Sequence, residues 1–110
     1  MDIRNLLESV PGSLPEEKTE NLLASGNFRL ERIVSQGHAT PPGEWYDQER
    51  DEWVLLLKGG AGLRFEGEPD ARVLRPGDAM LIRAHVRHRV EWTEAGGQTV
   101  WLALHFSEAE

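Results

Sequence analysis

The feature that most constrains this chain is a series of short runs, rich in β-branched, aromatic and leucine residues, between residues 28 and 106. Turn-forming residues separate these runs, for example at residues 41–43 and 76–78. Short apolar runs bounded by such turns are typical of an all-β domain. We predict strands over residues 28–35, 52–57, 62–66, 72–74, 79–82, 87–92 and 99–106.

Two of the predicted strands are apolar on both faces. In residues 52–57 both alternating sets of side chains are hydrophobic, and residues 99–106 show the same pattern. One sheet of a small barrel buries only its inner face, so the outer face of these strands needs a second layer, from the N-terminal arm, a second sheet or another subunit. A homodimer is the economical source of that layer. Residues 87–92 alternate instead, which places His88 on the core side.

The segment before residue 28 carries the signals of a short helix. Ser13 is a suitable N-cap, Pro15 suits the first turn and Glu16 completes a capping box. Gly26 offers a left-handed C-terminal cap, so we predict a helix over residues 17–25. The chain would then divide into a helical N-terminal arm, 1–27, and a β-barrel domain, 28–110.

Composition excludes several classes of protein. A chain of 110 residues is one modest domain, and its net charge of −7, with no basic block, argues against a nucleic-acid partner. No apolar run approaches the roughly 18–20 residues of a membrane helix, and the N-terminus does not resemble a signal peptide, so we expect a cytoplasmic protein. The chain has no cysteine, so any metal ion would be bound by histidine, carboxylate or amide groups.

Two segments of the chain resemble the paired motifs of the cupin superfamily. Glu52 and Gly59, with six residues between them, match the second half of the first motif. Gly77 and His88 match the glycine and histidine of the second motif. The resemblance covers residues 33–106 and is closest to small single-domain bacterial cupins. It implies a double-stranded β-helix, a jelly-roll barrel that often dimerises and usually binds one metal ion in its mouth.

The positions just before Glu52 depart from the family pattern. Cupins have two histidines there, and this chain has either Trp45 and Asp47 or Tyr46 and Gln48, depending on the length of the gap. The resemblance therefore implies a divalent ion, Mn, Fe, Ni, Cu or Zn, bound by carboxylate, amide and imidazole groups. The implied metal ligands are Glu52 and His88, with Asp47 or Gln48 in place of the missing histidines.

Each of these residues also has a purely structural interpretation. His88 would then be a core histidine bonded to a backbone carbonyl, and Glu52 a solvated carboxylate at the start of a strand. His105 shares the parity of Trp101 and either lines the cavity or packs at an interface. Tyr46 is a second candidate for contact with a small molecule, as a pocket wall or a hydroxyl at the rim.

The resemblance leaves two main functions open. One is a metal-dependent enzyme on a small organic acid, ketone or phenol, in which the ion polarises a carbonyl or binds oxygen. The other is a ligand-binding or sensory module with a degenerate metal site, which the two missing histidines favour. A barrel retained only for contact with a protein partner is a third function. The fold alone does not choose among them.

Overall fold

Eight antiparallel strands make up the regular structure of residues 1–8 and 15–107, the part of the chain that the computed structural model describes. The all-β prediction is confirmed, and the seven predicted strands are present with ends shifted by at most one residue. Within these residues no helix is long and apolar enough to cross a membrane. The strands are β1 (Lys18–Ser25), β2 (Phe28–Ser35), β3 (Asp51–Lys58), β4 (Ala61–Phe65), β5 (Arg72–Leu74), β6 (Ala79–Ile82), β7 (His88–Thr93) and β8 (Thr99–Phe106).

The predicted N-terminal helix is wrong. Residues 18–25 form strand β1, which pairs with β2 from Lys18 opposite Val34 to Ser25 opposite Phe28. The pairing leaves Gly26 and Asn27 as a two-residue hairpin loop, so the glycine that suited a helix cap serves a β-turn. Pairing with β2 satisfies backbone groups along one edge of this segment, and this outweighs the local cap signals. The predicted N-cap, Ser13, lies outside the described residues.

Two sheets face each other across one apolar core. The larger has the strand order β1-β2-β8-β3-β6, and the smaller has the order β5-β4-β7. Such a pair of antiparallel sheets agrees with the expected jelly-roll barrel. The core contains buried side chains from both sheets, Val54, Leu56, Ala61, Leu63, Leu74, Ile82, Trp101 and Ala103.

The larger sheet has an apolar outer face as well. In β3, Val54 and Leu56 point into the core and are 4% and 0% exposed, while Trp53, which precedes Val54, lies on the outer face and is half-buried. Trp53 belongs to a row of cross-strand neighbours on this face. We call this row the outer stripe, and its members are Leu30, Leu104, Trp53 and Leu81.

The backbone conformation of the turn between β3 and β4 explains why the motif position 59 is a glycine. Its φ is +87°, in the left-handed region, and a Cβ there would lie 2.7 Å from the carbonyl oxygen of Gln98 and from Cα of Thr99. Gly59→Ala should therefore lower the free energy of unfolding by about 2 kcal/mol, from backbone strain plus the clash with neighbouring backbone. Urea unfolding measures the difference.

Gly67 provides the matched control for this substitution. Its φ of +92° is similar, and no atom lies within 4 Å of the position of its Cβ. Gly67→Ala should therefore show the strain alone, about 1 kcal/mol. Equal losses for the two variants would contradict the role assigned to the close approach at Gly59.

Candidate functional site

A cavity of about 280 Å³ lies between the two sheets. Its inner wall contains three buried polar side chains, Glu52, His88 and His105, which are 7%, 4% and 6% exposed. Its remaining wall is mixed, with apolar side chains from both sheets and exposed polar side chains at the rim. These are Glu17, Thr19, Arg29, Glu31, Ile33, Tyr46, Gln48, Val54, Leu63, Ile82, Val90 and Trp101.

Strand register brings the polar groups of the larger sheet together. On its inner face His105 of β8 pairs with Arg29 of β2 on one side and with Glu52 of β3 on the other. Directly opposed residues in antiparallel strands have Cβ atoms about 5 Å apart. Three polar side chains from three strands therefore converge on one end of the cavity.

The smaller sheet contributes His88, the first residue of β7. The backbone N–H of Tyr46 donates to the carbonyl of His88 at 2.7 Å, and the N–H of His88 donates to the carbonyl of Tyr46 at 3.1 Å. Nδ1 of His88 donates to the carbonyl oxygen of Val86 at 2.8 Å. This bond orients the imidazole so that Nε2 lies 3.5 Å from Oε1 of Glu52.

The surroundings of His88 favour its charged form. Burial by itself lowers the pKa of this imidazole, but the bond and charge of Glu52 and the carbonyl of Val86 outweigh it, so the pKa of His88 is raised above its ordinary value. The pKa of the Tyr46 phenol is also raised, through burial and the negative charge of Glu17. The Tyr46 phenol therefore stays neutral beside His88 and Glu52.

A second imidazole–carboxylate pair lies beside the first. Nε2 of His105 donates to Oε1 of Glu31 at 2.9 Å and lies 3.9 Å from Oε2 of Glu52. The other oxygen of Glu31 is 3.2 Å from Nε of Arg29 at the rim. The polar wall is thus a chain of alternating acidic and basic groups, in which each carboxylate faces two bases.

Five of the six predicted site residues line this cavity together, namely Tyr46, Gln48, Glu52, His88 and His105. Asp47 does not line it. Its Oδ1 lies 2.8 Å from Nδ1 of His85, and both side chains are exposed. Asp47 falls between Tyr46 and Gln48 in sequence, and their side chains point into the cavity, so that of Asp47 points outward. Its prediction as a metal ligand is not supported by this position.

Sequence reasoning missed Arg29 and Glu31. Charged residues that alternate with apolar ones on a strand usually mark a solvated face, and Phe28 and Leu30 provide that alternation. The sequence contained one signal of their position: Arg29 and Glu31 alternate in phase with Ile33, so they lie on the same face of the strand as a residue that packs against the core. That signal becomes decisive only when β2 is known to pair with β8.

The donor set does not fit the metal ion that the resemblance implies. Within the described ranges, no three His, Cys, Asp or Glu side chains come together as a ligand group. Nε2 of His105 is engaged by Glu31, which leaves Glu52 and His88 with the amide of Gln48. Catalytic metal centres generally have three histidine, carboxylate or thiolate ligands. The arrangement is instead one of paired acids and bases.

Solved structures share this architecture. A protein of Ralstonia eutropha JMP134, named as a candidate mannose-6-phosphate isomerase, is 46% identical over 98% of this chain and 100% of its own, with a TM-score of 0.94. A cupin superfamily protein of Desulfitobacterium hafniense DCB-2 is 17% identical over 98% and 94% of the two chains, with a TM-score of 0.78. An RmlC-like cupin of Desulfovibrio desulfuricans is 18% identical over 96% of each chain, with a TM-score of 0.73. No protein-family model and no curated protein matches the chain.

Proposed function

This chain belongs to the cupin superfamily, and we propose that it is a ligand-binding cupin whose cavity takes up a small, uncharged, hydroxyl-bearing organic molecule. The observation that carries the proposal is the group of buried side chains, Glu52, His88 and His105, that faces a cavity of about 280 Å³. These groups are paired with one another and with Glu31, and the remaining lone pairs of the Glu52 carboxylate can accept hydrogen bonds from the hydroxyl groups of a ligand in the cavity.

The size and lining of the cavity support a small ligand with both polar and apolar parts. Its volume of about 280 Å³ lies just below the range of about 300–1,000 Å³ that holds drug-sized molecules. The apolar part of the wall includes Val54, Leu63 and Trp101. The polar part consists of Glu52 and the two histidines. Carboxylates accept hydrogen bonds from the hydroxyl groups of a ligand, and the apolar side chains pack against its C–H groups.

The charge of the cavity supports an uncharged ligand. The Ralstonia eutropha relative is named for a sugar phosphate. Among the described residues of this chain, three glutamates line the cavity, and the basic groups there are already paired with them: Arg29 lies 3.2 Å from Glu31, and His88 and His105 each face a carboxylate. A phosphate dianion in this place would be repelled by the carboxylates. The proposed ligand is therefore an unphosphorylated sugar or a similar polyhydroxy compound.

A metal-dependent enzyme is the competing function. Its support is the cupin family itself, in which a bound ion is common, and the name of the Ralstonia eutropha relative. The pairing of His105 with Glu31 and the outward position of Asp47 count against it, because they leave too few ligands around Glu52. We therefore propose binding that does not require an ion.

D-mannose and mannose 6-phosphate form a matched pair of probes for this proposal. D-mannose at about 100 times its dissociation constant should stabilise the protein by about 2.7 kcal/mol and raise Tm by several degrees. Mannose 6-phosphate at the same concentration should have a much smaller effect because of its charge. The measurement is thermal unfolding, with and without EDTA, and EDTA should change nothing.

Two variants test whether the polar wall is responsible. Glu52→Gln should abolish most of the stabilisation by mannose, because the carboxylate that accepts ligand hydroxyls is lost. Glu49→Gln is the matched control, since Glu49 is exposed and does not line the cavity. Stronger binding of the phosphate, or binding that EDTA removes, would contradict the proposal and favour the metal-dependent enzyme.

We also propose that two copies of the chain form a homodimer through the larger sheet. The outer stripe joins Leu30, Leu104, Trp53 and Leu81 across four neighbouring strands. Leu30, Trp53 and Leu104 are half-buried, and Leu81 is 42% exposed. A contiguous apolar stripe of this kind on a sheet face marks an interaction site, and a second copy presents a matching surface.

A further inference from the structure

A second, smaller cavity of about 170 Å³ adjoins the main one. We call it the side cavity. Glu17, Tyr46 and Val90 line both spaces, so these residues stand at the boundary between them. The rest of its wall comes from the segment that connects β2 to β3, at His38, Ala39, Thr40 and Pro41.

The wall of the side cavity is tied firmly to the smaller sheet. The N–H of Thr40 donates to the carbonyl of Val90 at 2.9 Å, and the N–H of Val90 donates to Oγ1 of Thr40 at 2.9 Å. Nη2 of Arg89 donates to the carbonyl of Thr40 at 2.9 Å, and Oγ1 of Thr93 donates to the carbonyl of His38 at 2.6 Å. The side cavity is therefore a preformed space, not a gap beside a loose loop.

His38 supplies a hydrogen-bond donor to this space. The backbone N–H of Gln36 donates to Nδ1 of His38 at 2.9 Å, so Nδ1 has no proton and the ring hydrogen lies on Nε2. None of the described residues accepts a hydrogen bond from Nε2. The wall of the side cavity thus contains an imidazole whose Nε2–H has no acceptor among the described residues.

We propose that the side cavity is a second subsite of the same ligand and accepts an uncharged, carbonyl-bearing group of acetyl size. This inference rests on the proposed function, since the rest of the ligand lies in the main cavity. The carbonyl oxygen accepts from Nε2 of His38, and the methyl group packs against Ala39, Pro41 and Val90. The carboxylate of Glu17 disfavours an anionic group there.

N-acetyl-D-mannosamine and D-mannose are the probes, because they differ by the acetamido group in place of a hydroxyl. Titration calorimetry should show that the wild-type protein binds N-acetyl-D-mannosamine about tenfold more tightly, from one hydrogen bond and one buried methyl group. Ala39→Met fills the side cavity and His38→Phe removes its donor. Ala39→Met should abolish the preference, and His38→Phe should reduce it to about threefold because the methyl contact remains, while the affinity for mannose changes by less than about twofold in each variant.

Ala24→Met is the matched control, because Ala24 is exposed on β1 and lines neither cavity. It should retain the tenfold preference. If the wild type binds both sugars equally, or both variants keep the preference, the second subsite is wrong and ligand binding in the main cavity stands. If neither sugar binds, the proposed function fails and the second subsite fails with it. Circular dichroism confirms that the variants are folded.

Discussion

Glu52→Ala should lower the free energy of unfolding by about 3 kcal/mol at about pH 6, because it leaves a buried imidazolium without its carboxylate. Glu52 is 7% exposed and His88 is 4% exposed, so both groups are largely removed from bulk water. Urea unfolding of the two proteins measures the loss. Glu49→Ala, at an exposed position, should change the stability by less than about 0.5 kcal/mol.

The same variant should show a smaller loss at higher pH. The pKa of His88 is raised in the folded protein above its ordinary value of about 6.5, because Glu52 and the carbonyl of Val86 outweigh burial. A raised pKa contributes stability that is complete below about pH 6.5 and disappears as the pH rises through the folded-state value. The difference between wild type and Glu52→Ala should therefore shrink between about pH 6 and 9. A difference that grows over this range would contradict the ion pair.

The cost of this pair bears on why the barrel contains it. Apolar residues of similar size often replace a buried ion pair without loss of stability, whereas removal of one partner is strongly destabilising. Packing alone therefore does not explain the presence of Glu52 and His88 beside the apolar residues Val54 and Ile82. Their position at the wall of a cavity is consistent with contact to a ligand.

The strands were predictable because each depends on local alternation and on turn residues. The apolar runs at 52–57 and 99–106 and the parity of His88 are visible in the sequence, and the structure has these features. The N-terminal helix failed for a non-local reason. Helix-cap signals flank residues 17–25, but β1 pairs with β2 along its length apart from one register shift between Asn21 and Leu23, and propensity does not report on such a neighbour.

The composition of the cavity wall was predictable only in part. Tyr46, Gln48, Glu52 and His88 come from segments that resemble the family motifs, and all four line the cavity. Asp47 and Gln48 were indistinguishable, because the choice depends on the bridge between Tyr46 and His88 that sets the parity of the loop.

Register between distant strands decided the rest of the site. His105 reaches the cavity because β8 lies between β2 and β3, with Arg29 and Glu52 as its two cross-strand neighbours. No motif marks Arg29 or Glu31, and their charges resemble those of a solvated strand. The acid–base chain of the wall is therefore a property of strand order, which a single sequence does not reveal.

Trp53→Glu should convert the proposed homodimer into monomers. Trp53 lies within the outer stripe between Leu104 and Leu81. A tryptophan at the centre of an interface commonly contributes about 2 kcal/mol to the binding free energy, which corresponds to about thirtyfold in the dissociation constant. A carboxylate there adds the cost of burying an unpaired charge, so the expected loss of affinity is about a hundredfold or more. Sedimentation velocity over a range of concentrations measures it.

Val73→Glu is the matched control for the interface. Val73 lies on β5 in the smaller sheet and is 56% exposed, so the same new charge there is remote from the outer stripe. This variant should sediment like the wild type. A monomeric wild type would show that the apolar outer face is not covered by a second copy, and dissociation of both variants would place the interface elsewhere. If Trp53→Glu alone loses the dimer, the apolar pattern on both faces of residues 52–57 is explained by assembly. The inward side chains of that strand would build the cavity, and the outward side chains would join the two copies.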